Sequence, residues 1–188
     1  MGAGRAGAGI RVIAGTAKGR RLDTPAWTGL RPTSDRLRET LFNILAPRVA
    51  GARVLDGYAG TGALGIEALS RGAAHATFVE HDPRAVRLIA ANLAHAGMKS
   101  GRNACTIVRG GFLEMARSHE GAPFDLVLLD PPYDDPALDA AVRAAGRILS
   151  DDGLVVLEHA TRVAPPAGAV RTVKAGDSSL SFYEKRSG

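Results

Sequence analysis

Two groups of residues in this chain have types and spacings suited to chemistry, and each directly follows a short apolar run. The first is Val54-Leu55-Asp56-Gly57-Tyr58-Ala59-Gly60-Thr61-Gly62-Ala63-Leu64-Gly65. Gly60 and Gly62 carry no side chains, so a turn between a strand and a helix can bring its backbone close to a cofactor, at the strand end where open α/β sheets bind ligands. Glu80 ends the next apolar run 20 residues after Gly60, where a carboxylate can accept both hydroxyls of a ribose. Asp56 is a second acceptor. Tyr58, His81 and Gly111 stand at the same turns as further cofactor contacts, with His81 reading equally well as a surface residue. Taken literally, Gly60-x-Gly62-x-x-Gly65 also satisfies the dinucleotide fingerprint, which keeps a nicotinamide or flavin enzyme open. Asp56 separates the two readings. A pyrophosphate site aims N–H groups and a helix terminus at phosphate, and an acid just ahead of the loop repels that ligand. The sulfonium and ammonium of S-adenosylmethionine make the same acid favourable. A tight turn with no ligand is the plain alternative.

The second group is Asp130-Pro131-Pro132-Tyr133, which follows the run Phe124 to Leu129. Prolines make poor ladder material because they lack an N–H and restrict the residue before them. They do make a rigid platform. Asp130 can accept one hydrogen of an amine, the Pro131 carbonyl the other, and Tyr133 offers a ring on which a base can stack. An aromatic amine is a weak nucleophile because its lone pair is delocalised, and two acceptors out of the base plane would release that pair for in-line attack on a methyl group. Such catalysis rests on positioning and electrostatics, without a covalent intermediate. A cytosine-C5 mechanism would need a nucleophilic cysteine. The single cysteine, Cys105, lies in another segment, where it is expected as a small core residue on a strand.

The elements that must position these residues are legible as alternating patterns. Strands are expected at Arg53 to Asp56, Ala76 to Glu80, Ala104 to Val108, Phe124 to Leu129 and Leu154 to Glu158. Helices are expected at Ala63 to Ser70, Pro83 to Ala96, Gly111 to Ser118 and Leu138 to Leu149, several closed by glycine at Gly72, Gly97 and Gly153. This order implies an α/β, Rossmann-like, mostly parallel sheet with helices on both faces. The runs Val170 to Ala175 and Leu180 to Lys185, separated by Gly176-Asp177, predict an antiparallel hairpin at its edge. Ahead of the sheet, Ile10 to Ala14, Lys18-Gly19 and Arg20-Arg21-Leu22 resemble a basic-tipped hairpin. The helical spacing of Leu37, Leu41, Ile44 and Leu45 follows Thr33 or Ser34 as N-cap, with Pro47 as the stop. The expected organisation is a disordered leader over 1–9, a basic hairpin and helix extension over 10–50 and one catalytic domain over 51–188.

Charge is divided unevenly. Residues 1–50 carry nine Lys and Arg against Asp23, Asp35 and Glu39, a net +6, whereas the remainder carries 15 basic against 16 acidic residues, a net −1. A one-ended basic excess suits a polyanion, with nucleic acid foremost, although a solvated basic face fits charge alone as well. Arg11, Lys18, Arg20, Arg21, Arg31 and Arg36 are the candidate RNA contacts, positioning phosphates. No run approaches the length of a membrane span, and Met1 to Gly9 lacks the apolar centre of a secretory signal, so a cytoplasmic protein is expected. His75, His81, His95, His119 and His159 are too scattered to suggest a metal site, so no metal is expected.

With these residues in view, the chain resembles class I methyltransferases, and within them the RsmD-like family of 16S ribosomal RNA guanine-N2 methyltransferases. The resemblance rests on Arg11-Val12-Ile13-Ala14-Gly15, on the run Leu30 to Asn43 that includes Arg31-Pro32-Thr33-Ser34-Asp35-Arg36, on Asp56 to Ala73, and on the Asp130 turn. It implies a seven-stranded sheet, S-adenosylmethionine as cofactor, and methylation of the 2-amino group of one guanine in 16S RNA, presented in an assembling small subunit to a monomeric enzyme. Carried over, Thr33 meets the methionine end of the cofactor beside Asp56, Gly60 and Gly62, Glu80 holds the ribose, and Asp130 to Tyr133 the target base. Where relatives often carry a polar side chain near the adenine, this chain has Gly110-Gly111, so recognition there would use backbone. A DNA adenine-N6 methyltransferase also suits the platform, though 188 residues leave little room for a DNA-reading domain. A non-catalytic RNA-binding assembly protein would not need intact Asp130 and Glu80.

Overall fold

The N-terminal hairpin is short and held from outside. In the computed structural model, which describes residues 10–25, 27, 34–98, 104–132 and 135–185, β1 (Ile10–Arg11) pairs antiparallel with β2 (Arg21–Leu22). Two paired residues per strand cannot sustain a hairpin alone; a buried acid supplies the rest. The Glu67 carboxylate accepts the Ile13 and Ala14 N–H groups at 2.8 and 3.0 Å, and Ser70 Oγ accepts the Ala17 N–H at 2.9 Å. Arg38, fully buried, donates to the Arg11 carbonyl and to Asp35. The expected leader over 1–9 and the positions Arg31 and Thr33 lie outside the described residues.

Helix α1 (Asp35–Val49) starts where Ser34 Oγ accepts the Leu37 N–H at 3.2 Å. It does not stop at Pro47, contrary to expectation. A proline in the last turn forfeits one hydrogen bond, and the buried Val49 carries the helix past it. The remaining elements are β3 (Arg53–Asp56), α2 (Ala63–Ser70), β4 (His75–Glu80), α3 (Pro83–His95), β5 (Ala104–Arg109), α4 (Phe112–Ser118), β6 (Phe124–Leu129), α5 (Leu138–Arg147), β7 (Leu149–Ala160), β8 (Arg171–Ala175) and β9 (Ser178–Glu184). They form a seven-stranded sheet in the order β5-β4-β3-β6-β7-β9-β8, parallel from β5 to β7, with β9 antiparallel to both its neighbours. The expected doubly covered sheet with its C-terminal hairpin is what the chain forms. The hairpin inserts β9 inside β8, leaving β8 at the edge.

Period-two alternation sends successive residues to opposite faces. Val54, Leu126, Leu128 and Val156 pack with α1, α2 and α3, whereas Leu55, Val127, Leu129 and Val155 pack with α4 and α5. The inner strands β3, β4, β6 and β7 thus have two buried faces, which is why their sequences read as continuous apolar runs, whereas β5 lies at the sheet edge with Thr106 and Arg109 exposed. Gly153 was expected to close the fifth helix. Instead it lies within β7, where the pairing with β6 jumps from Phe124↔Leu149 to Leu126↔Leu154. The extra residues bulge outward there, with Ser150 Oγ donating to Asp125 at 2.9 Å, so β7 begins earlier than its apolar run. Cys105 is half-buried on the outer strand β5 and packs against the first cluster.

Candidate active site

Four acidic residues stand on the same face of four neighbouring strands, three at or just past the strand ends and one two residues before the end of β7. In sheet order they are Glu80 of β4, Asp56 of β3, Asp130 just after β6, and Glu158 of β7. The shared face follows from parity, because Phe78, Val54, Leu128 and Val156, each two residues earlier, all belong to the cluster under α1 to α3. All four line one cleft of about 620 Å³, a size suited to a small-molecule site. Crossovers after β3 and β6 run to opposite faces of the sheet, which opens the crevice here.

The glycine turn forms the floor. Gly57 donates its N–H to the Leu128 carbonyl and Ala59 to that of Val79, tying the turn to both flanking strands. Gly60 and Gly62 adopt positive φ of 52 and 78°. Gly65 serves packing, since a Cβ there would meet the Phe78 ring at 2.3 Å. The three glycines of the dinucleotide-like spacing therefore divide between turn geometry and helix-to-strand contact.

Asp56 is buried, and its Oδ2 accepts the Gly65 N–H at 3.0 Å. Its Oδ1 is buried with no hydrogen-bond partner among the described residues. Burial pushes this carboxyl from an ordinary 3.8 up to about 7, against the lowering effect of the Gly65 N–H, and the neighbouring Asp130 and Glu80 charges push the same way. A buried carboxylate oxygen left without a donor is an unmet demand for a cation or a strong N–H donor. The site therefore fits a cationic ligand and opposes a pyrophosphate. Glu80 is already engaged: Oε2 accepts the Gly60 N–H at 2.9 Å and Oε1 the Asp82 N–H at 2.8 Å. Each oxygen retains a second lone pair, so Glu80 can shape the loop and still receive a hydroxyl. His81 also lines the cleft, 86% exposed, with Nδ1 3.1 Å from Glu80.

Tyr58, half-buried, tilts against Phe112 at 5.7 Å, and burial with the nearby Asp135 charge pushes its phenol up to about 12, so it stays protonated. Gly110 and Gly111 line the cleft, and a Cβ on Gly111 would meet nothing within 4 Å. That open space admits a flat ring beside the backbone. Pro131 is buried and Pro132 exposed, both on the cleft wall, and the Pro132 carbonyl accepts the Asp135 N–H at 3.0 Å. Tyr133 and Thr33 lie outside the described residues.

Of the basic residues, Arg11 and Arg21 are cross-strand partners and exposed, as are Lys18 and Arg20 at the hairpin turn and Arg36 on the first turn of α1. Cys105 sits near the start of β5, at the opposite end of the sheet from the cleft, and burial raises its thiol pKa. It has no place in the chemistry.

Several site residues escaped sequence reasoning. Trp27 lines the cleft with the Arg84 guanidinium 4.9 Å from its ring centroid, and Arg84 is held in turn by Asp82. Asn92, fully buried, donates to the Thr61 carbonyl and pairs with the backbone of Asp23, coupling the glycine turn to the segment after the hairpin. Glu158 is the fourth acid. An acid ending an otherwise apolar strand run, as Glu80 does, was the signal available for it.

Comparison with known proteins accords with this geometry. Ribosomal RNA small subunit methyltransferase D of Escherichia coli K12 is 42% identical over 151 residues, covering 79% of this chain and 74% of that one. YlbH of Bacillus subtilis 168 is 36% identical over 184 residues, 94% of this chain and all of that one. The structure of a hypothetical protein of Thermus thermophilus superposes with a TM-score of 0.78 at 35% identity, over 93% of this chain and 99% of that one. An RNA methyltransferase from Salinibacter ruber in complex with S-adenosyl-L-homocysteine shares the fold, at 17% identity and a TM-score of 0.66 over 84% of this chain and 95% of that one. The model of the family described as conserved hypothetical protein 95 matches residues 10–184, and the chain belongs to this family, that of ribosomal RNA small subunit methyltransferase D.

Proposed function

We propose that this protein transfers a methyl group from S-adenosylmethionine to the 2-amino group of a guanine in 16S ribosomal RNA. The observation that carries the reading is the buried Asp56 oxygen, without a partner among the described residues, one strand away from Asp130 in the same cleft. S-adenosylmethionine, when bound, supplies a methyl group activated on a cationic sulfonium. Asp56 would face the cationic methionine end, with Thr33 beside it. Glu80 would receive the ribose hydroxyls, while Gly60 and Gly111 leave room for the nucleoside and Tyr58 and His81 flank it; Gly62, expected as a cofactor contact, faces Ile89 and serves the turn instead.

On the other side of Asp56, the Asp130 carboxylate and the Pro131 carbonyl would accept the two amine hydrogens. Pro132 stiffens the turn, and Tyr133 would stack on the base. Held this way, the amine lone pair is no longer shared with the ring, and positioning supplies most of the rate. As nitrogen gains carbon it sheds one proton, for which Asp130 is the acceptor.

The exposed Arg11, Lys18, Arg20, Arg21 and Arg36, with Arg31, would hold RNA phosphates. In this reading residues 10–50 serve a catalytic domain of residues 51–188 as its RNA-reading extension. The substrate is RNA in an assembling small subunit, acted on by a monomer in the cytoplasm.

The test is methyl transfer from labelled cofactor to small subunits from cells lacking the gene, to free 16S RNA and to duplex DNA. Label in the subunits or RNA is expected. Label in DNA, or in none of the three, would overturn the proposal.

A further inference from the structure

The fourth acid of the row has no task in the mechanism above. Glu158 ends the inner part of β7 with 7% of its surface exposed, and lines the cleft. The register Leu129↔Leu157 places it level with Asp130, one position further along each of two hydrogen-bonded strands. Neighbouring strands run about 4.8 Å apart. Carboxylates leaving neighbouring strands at the same level can reach two nitrogens bonded to one carbon, as the ring N1 and the exocyclic 2-amino nitrogen of guanine are. The cleft demands a ligand on grounds other than its acids' mere number, since Asp56 Oδ1 is buried in its wall without a partner among the described residues.

We infer that Glu158 accepts the N1–H of the target guanine and is the residue that makes the cleft select guanine over adenine. The inference rests on the guanine methylation reading and deepens it. With the 2-amino group at Asp130, the next atom on the Watson–Crick edge is N1, which carries hydrogen in guanine and a lone pair in adenine. A carboxylate at that point attracts the first and repels the second. The order along the sheet then has a consistent sense: Glu80 and Asp56 address the cofactor, Asp130 and Glu158 the base.

The discriminating probe is 2,6-diaminopurine, which keeps the 2-amino group but presents a lone pair at N1. It would be placed by ligation at the methylated position, once digestion of the wild-type product has located it. The wild-type enzyme is expected to prefer guanine by about 10- to 100-fold in kcat/KM, the discrimination of one specific base-edge contact. In Glu158→Gln the amide N–H can donate to a bare N1. The guanine rate should therefore fall by a similar factor and the preference collapse towards one. Cofactor affinity by calorimetry should stay within about twofold, because Glu158 lies on the base side of Asp56. The preference is a ratio measured on one preparation, so an incompletely folded variant does not distort it. An equal preference in wild type and variant, or a wild-type enzyme indifferent to the analogue, overturns the role of Glu158 while leaving guanine methylation standing. Wild-type label in a nucleoside other than guanosine overturns both.

Discussion

Replacing Asp56 by Asn should stabilise the empty protein and cripple its cofactor binding, and the structure says by roughly how much. The carboxyl is buried and lifted from an ordinary 3.8 to about 7, chiefly by loss of water. Keeping it ionised in the folded protein therefore costs about 4 kcal/mol at most. The sign follows from proton binding. Between about pH 4 and 7 the native carboxyl holds a proton that the unfolded one has lost, so stability falls as pH rises through that window. An Asn side chain can still accept the Gly65 N–H, now made to Oδ2 at 3.0 Å, and carries no charge. Urea unfolding of the two proteins should coincide near pH 4 and diverge steadily, the variant leading by up to about 4 kcal/mol at pH 8. With saturating S-adenosylmethionine the order should reverse, because the bound cation favours the ionised acid. Calorimetry should show the variant binding at least about 30-fold more weakly, the low end of what losing a buried charged partner costs. Equal stabilities across pH 5 to 8, or equal affinities, would refute the reasoning.

Three further outcomes are expected. Asp130→Ala should lower turnover by at least about 100-fold, as loss of one positioned transition-state group does, with cofactor affinity held within about twofold in calorimetry; a parallel loss of both would remove Asp130 from the amine. Neutralising Arg20 and Arg21 together should weaken RNA binding and flatten its log–log salt dependence by about 1.4, if each neutralises one phosphate of single-stranded RNA; an unchanged slope would place the RNA elsewhere. Gly15→Ala should destabilise the protein by about 2 kcal/mol or more in thermal unfolding, since its Cβ would meet the Ser70 carbonyl at 1.8 Å at a φ of 84°. Gly19→Ala, at a φ of 82° with open space around it, should cost only about 1 kcal/mol. Equal costs would mean that the hairpin does not dock on α2 as described.

Much of the sheet was legible because each inner strand is buried on both faces and so reads as an uninterrupted apolar run between turn residues. The boundaries of β3, α2 and β6 were read from such runs without error. Strand order is a different matter, because it depends on where crossovers land. Asp56 and Asp130 are distant in the chain, and only the pairing of β3 with β6 makes them neighbours. Pro47 and Gly153 misled for a common reason. Local propensity nominates a stop, but burial of Val49 carries α1 past its proline, and the β6–β7 bulge absorbs the glycine inside a strand. Arg38 was unreadable as a buried ion, since its partners come from the hairpin backbone, α1 and the buried Glu67 of α2. Trp27 gave no signal either, because its segment lacks periodicity and its place in the cleft is set by Arg84 and Asp82 on another element.

The atom that receives the methyl group distinguishes this chemistry from its rivals. The most direct measurement is mass spectrometry of nucleosides from 16S RNA of gene-deleted cells, after incubation of their small subunits with the protein and deuterium-labelled S-adenosylmethionine. A single labelled product, N2-methylguanosine, is predicted, absent with Asp130→Ala. Label in N6-methyladenosine or 5-methylcytidine, or no labelled nucleoside at all, would contradict it.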